Sequence, residues 1–101
     1  MSAVKLNEER LKLAVERVLS VHREVEAVVV VTSDGFPVYS MVDGKDQERA
    51  AAMGASFVSL AKRVAKDLRG SDLKKVIVET DRGRIIGVPL AGGLSILMLV
   101  R

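Results

Sequence analysis

The stretch Ala27 to Ser40, AVVVVTSDGFPVYS, constrains the fold more than any other part of the chain. Four consecutive valines leave no polar residue to alternate with, so this strand is apolar on both faces and belongs inside a sheet covered on both sides. Ser33-Asp34-Gly35 supplies a turn, with glycine where positive φ is needed, and Phe36 to Met41 is the return strand. Pro37 has no amide hydrogen to donate to a ladder, which places the return strand at an edge.

The remaining elements follow from periodicity and punctuation. Asn7 is a suitable cap for a first helix running to about His22, with Glu8 and Glu9 near its positive end. Leu11, Ala14, Val15, Val18 and Leu19 share its inner face. Asp46 is a suitable N-cap for a second helix ending near Arg69, with Gly70 as terminator. Strands are expected over Leu73 to Thr80, Arg84 to Leu90 and Leu94 to Val100, joined as hairpins by Asp81-Arg82-Gly83 and Gly92-Gly93. The last strand carries Leu94, Ile96, Met98 and Val100 on one face and Leu97 and Leu99 on the other, so it belongs beside the valine strand at the sheet centre. Lys74, Lys75 and Glu79 leave the third strand as the other edge. The deduced order is 2-1-5-4-3.

With 101 residues, the chain is expected to form a single domain, residues 1–101, around one core. It has no cysteine, which excludes disulfides and thiolate metal sites and fits a cytoplasmic protein. Asn7 and Gln47 are the only side-chain amides, a composition that leans toward a thermophile. The longest apolar runs are strand length, no signal peptide is apparent, and membrane insertion is not expected. A net charge of +3 with 3% aromatic residues offers neither a phosphate track nor stacking platforms, so nucleic acid is not an expected partner.

No catalytic, cofactor or metal constellation emerges. His22 is placed to favour the last carbonyls of the first helix. Asp34 before Gly35 is turn chemistry. Ser33 has no base, Gly92-Gly93 opens no helix, and Asp43, Asp46 and Glu48 form no calcium motif. Function is therefore sought in surfaces.

The second helix carries that search. Its wheel puts Met53, Phe57, Leu60, Val64 and Leu68 on one flank, read as core, and Ala50, Ala51, Gly54, Ala55, Val58, Ala61 and Ala65 on the adjoining flank. The small flank admits two readings: close approach to the chain's own sheet, or contact with a second helix. Gly54 costs roughly 1 kcal/mol of helix propensity, which a solvent-facing position has little reason to keep. On the first helix, Leu6 and Leu13 fall on the outer side beside Arg10 and Arg17. They are either scattered surface leucines or a partner patch with an apolar centre and charged rim.

Taken in order, VEAVVVVTSDGFPVYS, DQERAAAMGASFVSLA and LKKVIVETDRGRIIGVPLAGGLSILMLV resemble the roadblock family, the dynein light-chain and GTPase-regulator domains, over nearly the whole chain. The sequence stops at Arg101, so the resemblance is to a short form without the C-terminal helix of many members. It implies an α+β, roadblock/profilin-like sandwich with helix one on one sheet face and helix two on the other. It also implies a non-enzymatic, cofactor-free homodimer in which second helices pair and third-strand edges join. The implied interface is Ala51, Gly54, Ala55 and Val58 with Lys75, Val76, Ile77, Val78 and Glu79. A Ras-like small GTPase is the implied partner, with Leu6, Arg10, Leu13 and Arg17 as a candidate surface for it. Two alternatives are a small-molecule-sensing profilin-like domain and an activator presenting Arg82 or Arg84 to its GTPase.

Overall fold

A computed structural model describes residues 2–41 and 44–101, without the side chains of residues 2–8, 11, 14, 18, 44 and 45. The elements are α1 (Ser2–Val21), β1 (Val25–Thr32), β2 (Pro37–Ser40), α2 (Gly44–Arg69), β3 (Val76–Thr80), β4 (Gly83–Pro89) and β5 (Leu94–Val100), with a 3-10 turn at Ala91–Gly93 between the last two. The strands form one open antiparallel sheet in the order β2-β1-β5-β4-β3. This is the order expected from two doubly apolar strands at the centre and a proline-bearing strand at one edge.

The valine run fills both faces of β1. Val29 and Val31 point to the α2 side, where they pack with Leu97, Ala51 and Ala55. Val28 and Val30 point to the α1 side and pack with Val15, flanked by Leu19, Ile96 and Met98. All four valines are fully buried. The β1–β2 turn closes by Thr32 N–H donating to the Phe36 carbonyl at 2.9 Å and Gly35 N–H to the Thr32 carbonyl at 3.0 Å. Gly35 takes φ 91°, a conformation glycine adopts without steric cost. The far end of β5 is tied to the start of β1: Arg101 N–H donates to the Glu24 carbonyl at 2.9 Å, and its guanidinium lies 3.4 Å from Glu26.

Several boundaries depart from the sequence reading. Helix α1 begins at Ser2, so Asn7 lies inside it instead of capping it. Helix α2 begins at Gly44 and carries Asp46 in its first turn, where the carboxylate favours the helix dipole without being the cap. Strand β1 starts at Val25 and β3 only at Val76. His22 lies just beyond α1, and its Nδ1 sits 3.2 Å from Glu24 Oε1, a contact with the next loop in place of the expected helix carbonyls. Asp43 lies outside the described residues.

A candidate protein-protein interface

Helix α2 lies on the sheet with the small-residue flank adjoining the one assigned to the core. Ala51, Ala55 and Val58 are buried and Gly54 with them. A Cβ added at Gly54 would stand 1.7 Å from Leu97 Cδ1 and 2.9 Å from Leu97 Cγ. The small residues thus serve close approach to the chain's own sheet, the first of the two readings they admitted. The bulky flank read as core faces out instead. Met53, Leu60 and Leu68 are 66%, 63% and 76% exposed, Val64 is exposed with them, and Phe57 is half-buried. The physical reason is distance: a helix seated on alanine and glycine sits too low for long side chains to fit beneath it, and they are turned outward.

The exposed stripe continues into a groove between the N-terminal half of α2 and the β3 side of the sheet. The groove has a volume of about 570 Å³ and is lined by Ala50, Met53, Gly54, Phe57, Val78, Ile85, Leu97 and Leu99, with Asp46 and Arg49 supplying charge. Its outer wall is β3, which pairs with β4 on one side and forms the sheet's other edge. Ile77 and Val78 are each 39% exposed there; Lys75 and Glu79 are exposed, and Val76 is half-buried. The expected interface therefore divides. Its strand residues lie at the free edge, while its helix residues Ala51, Gly54, Ala55 and Val58 lie beneath α2. The exposed Met53, Leu60, Val64 and Leu68 are the surface that the wheel missed, because a wheel defines an apolar arc without saying which half of it meets the sheet.

Of the candidate partner surface on α1, Arg10, Leu13 and Arg17 are exposed, Leu13 at 66%. The side chain of Leu6 lies outside the described residues. Arg82 and Arg84 are exposed in and after the β3–β4 turn, which is held by Arg82 N–H donating to the Thr80 hydroxyl at 3.1 Å. Among the described residues the buried side chains are all apolar, and no group of three or more His, Cys, Asp or Glu comes together. No described helix is long and apolar enough to cross a membrane.

An open five-stranded antiparallel sheet with a helix on each face, one exposed edge and an apolar stripe beside that edge defines a small α+β sandwich domain. The chain belongs to the Roadblock/LC7 domain family, whose model matches residues 11–100. No match is found among curated proteins. Solved structures share the fold at low identity. A Roadblock/LC7 domain from Streptomyces avermitilis has 20% identity and a TM-score of 0.72, with 76% of this chain and 66% of that one covered. MglB from Myxococcus xanthus has 13% identity and a TM-score of 0.69, covering 81% and 63%. The gliding protein MglB from Thermus thermophilus has 15% identity and a TM-score of 0.72, covering 91% and 71%. The chain thus spans a little under two thirds of the length of the first two.

Proposed function

We propose that this chain is a non-enzymatic, homodimeric scaffold or regulatory module that binds a Ras-like small GTPase. Membership of the Roadblock/LC7 family supports a regulatory or adaptor role. The observation that carries the dimer is the continuous apolar surface running from Met53, Leu60, Val64 and Leu68 through the groove to the bare β3 edge. Soluble monomers seldom leave such a patch open, and an unpaired apolar edge invites another strand.

Light scattering on the purified protein at about 20 μM, a concentration at which even weak specific association registers, is expected to give the mass of two chains. Leu60→Asp is expected to give one chain with unchanged folding. The GTPase is tested by capture of a purified Ras-like GTPase, loaded with GDP or with a non-hydrolysable GTP analogue, on the immobilised dimer. Retention of neither form would reject that half of the proposal. The small-molecule reading draws on the groove alone, whose volume of about 570 Å³ lies within the ligand-pocket range of about 300–1,000 Å³. Native mass spectrometry showing a bound small molecule would favour it over the dimer.

A further inference from the structure

We propose that a cleft between α2 and the adjoining ends of β1 and β5 binds a phosphoryl anion, with Lys62 and Arg63 supplying charge and Ser33, Ser59 and Ser95 supplying hydroxyl donors. The cleft has a volume of about 210 Å³, and these five side chains line it over an apolar floor of Ala55, Val58 and Leu94. It has no residue in common with the groove beside β3, so the inference does not depend on the dimer.

Two observations point to an anion. The first is where the charge lies. Residues 62–75, the C-terminal part of α2 and the loop to β3, hold six lysines and arginines against Asp67 and Asp72, a charge of +4 on a chain whose net charge is +3. The rest of the molecule therefore sums to −1, and the positive potential is concentrated in this segment. The second is what the polar groups of the cleft lack. Among the described residues the ion pairs are His22–Glu24, Lys66–Asp72 and Arg101–Glu26, so neither Lys62 nor Arg63 has one. The side chains of Ser33, Ser59 and Ser95 make no hydrogen bond there either, and no carboxylate lines the cleft. Lys62 and Arg63 also border a second cleft, but Asp67 and Asp72 line that one, and Asp72 lies 4.0 Å from Lys66. An anion is drawn to the side without carboxylates.

The donor set selects the class of anion. Two cations and three hydroxyls offer more donors than the two oxygens of a carboxylate can use, and they suit a tetrahedral group with several oxygens. The fork of Arg63 can hold two of those oxygens at once. Ala55 and Val58 are buried beneath, and an apolar floor strengthens the polar contacts made above it. The volume falls below the roughly 300 Å³ at which pockets for whole small molecules begin. The phosphoryl group enters, and whatever bears it stays outside. Apart from the half-buried Ser95, the five side chains are exposed, so the expected dissociation constant is on the order of 1 mM, which leaves micromolar GTP unbound.

The test is a titration of the full chain with inorganic diphosphate at physiological ionic strength, followed by amide NMR. Saturable shifts are expected, largest at Ser33, Ser59, Gly93 and Ser95. Lys62→Gln and Arg63→Gln are each expected to weaken binding about tenfold, the loss of one charge-assisted hydrogen bond, with spectra that show the fold retained. Lys12→Gln removes the same charge from an exposed position on α1, across the sheet, where salt screens it; it is expected to change binding less than about twofold. Sedimentation with phosphatidylcholine vesicles containing phosphatidylinositol 4-phosphate distinguishes the sources. Co-sedimentation that is lost in Lys62→Gln and Arg63→Gln supports the site with a lipid headgroup as its ligand, whereas diphosphate binding without co-sedimentation supports it with a free phosphorylated solute. Absence of saturable diphosphate shifts, shifts centred away from the cleft, or equal weakening by Lys12→Gln overturns the site.

Discussion

Gly54 sets the height of α2 over the sheet, and its neighbour Leu97 makes this measurable. Gly54→Ala gains about 1 kcal/mol of helix propensity but drives a methyl into Leu97 Cδ1, an overpacking cost of about 1–3 kcal/mol. The single variant is expected to lose up to about 2 kcal/mol. Leu97→Ala alone is expected to cost about 2–5 kcal/mol, and the double variant less than the sum, because the new methyl enters the vacated space. Urea denaturation of the four proteins gives the coupling; strict additivity would show that the two residues do not press on each other. The role of this glycine was half legible from the sequence. Its cost in a helix pointed to close approach, but sequence spacing cannot say whether the approaching surface is Leu97 of the same chain or a helix of another.

At the level of elements, α1 allows folding and the proposed partner binding to be tested separately along a single helix. Leu13→Asp is expected to fold like the wild type, within about 0.5 kcal/mol, as exposed substitutions do. Val15, 2% exposed, is two residues away on the inner face. Val15→Asp is expected to cost about 3–5 kcal/mol, the scale of an uncompensated buried charge. Thermal melts by circular dichroism check both. GTPase capture by Leu13→Asp then asks whether Arg10, Leu13 and Arg17 form a partner site; wild-type capture would remove that assignment.

Strand order was legible because it depends on coarse features: Val28 to Val31 and Ile96 to Val100 have no polar face, and Pro37 belongs at an edge. Element ends were less so. Asn7 and Asp46 are good caps by residue type, yet both lie within helices that begin earlier, since cap chemistry is a local preference that the rest of the helix can override. The exposed stripe on α2 was hidden for a related reason. Met53, Leu60, Val64 and Leu68 look like core residues in any one-chain reading, and their exposure appears only once Ala51, Ala55 and Val58 are seen to occupy the sheet.

For the whole molecule, the proposed role carries an expectation about nucleotide. The sequence has no glycine-rich loop with a following lysine to cradle phosphates,, so the pure protein is expected neither to retain GTP in equilibrium dialysis nor to hydrolyse it above a mock preparation. Turnover by the wild-type protein would contradict the scaffold reading. The unequal edges of the sheet bear on how far assembly can go. At one end, β2 is short, begins with Pro37 and meets β1 through a register shift at Val30/Val31, features that discourage strand addition. At the other end, β3 is open. A sheet of this kind has a valence of one: once two open edges meet, both outer margins of the ten-stranded product are the blocked kind. In the proposed dimer, edge-to-edge growth would then terminate at two chains, and a protein built around an apolar β edge would be kept from becoming a fibre.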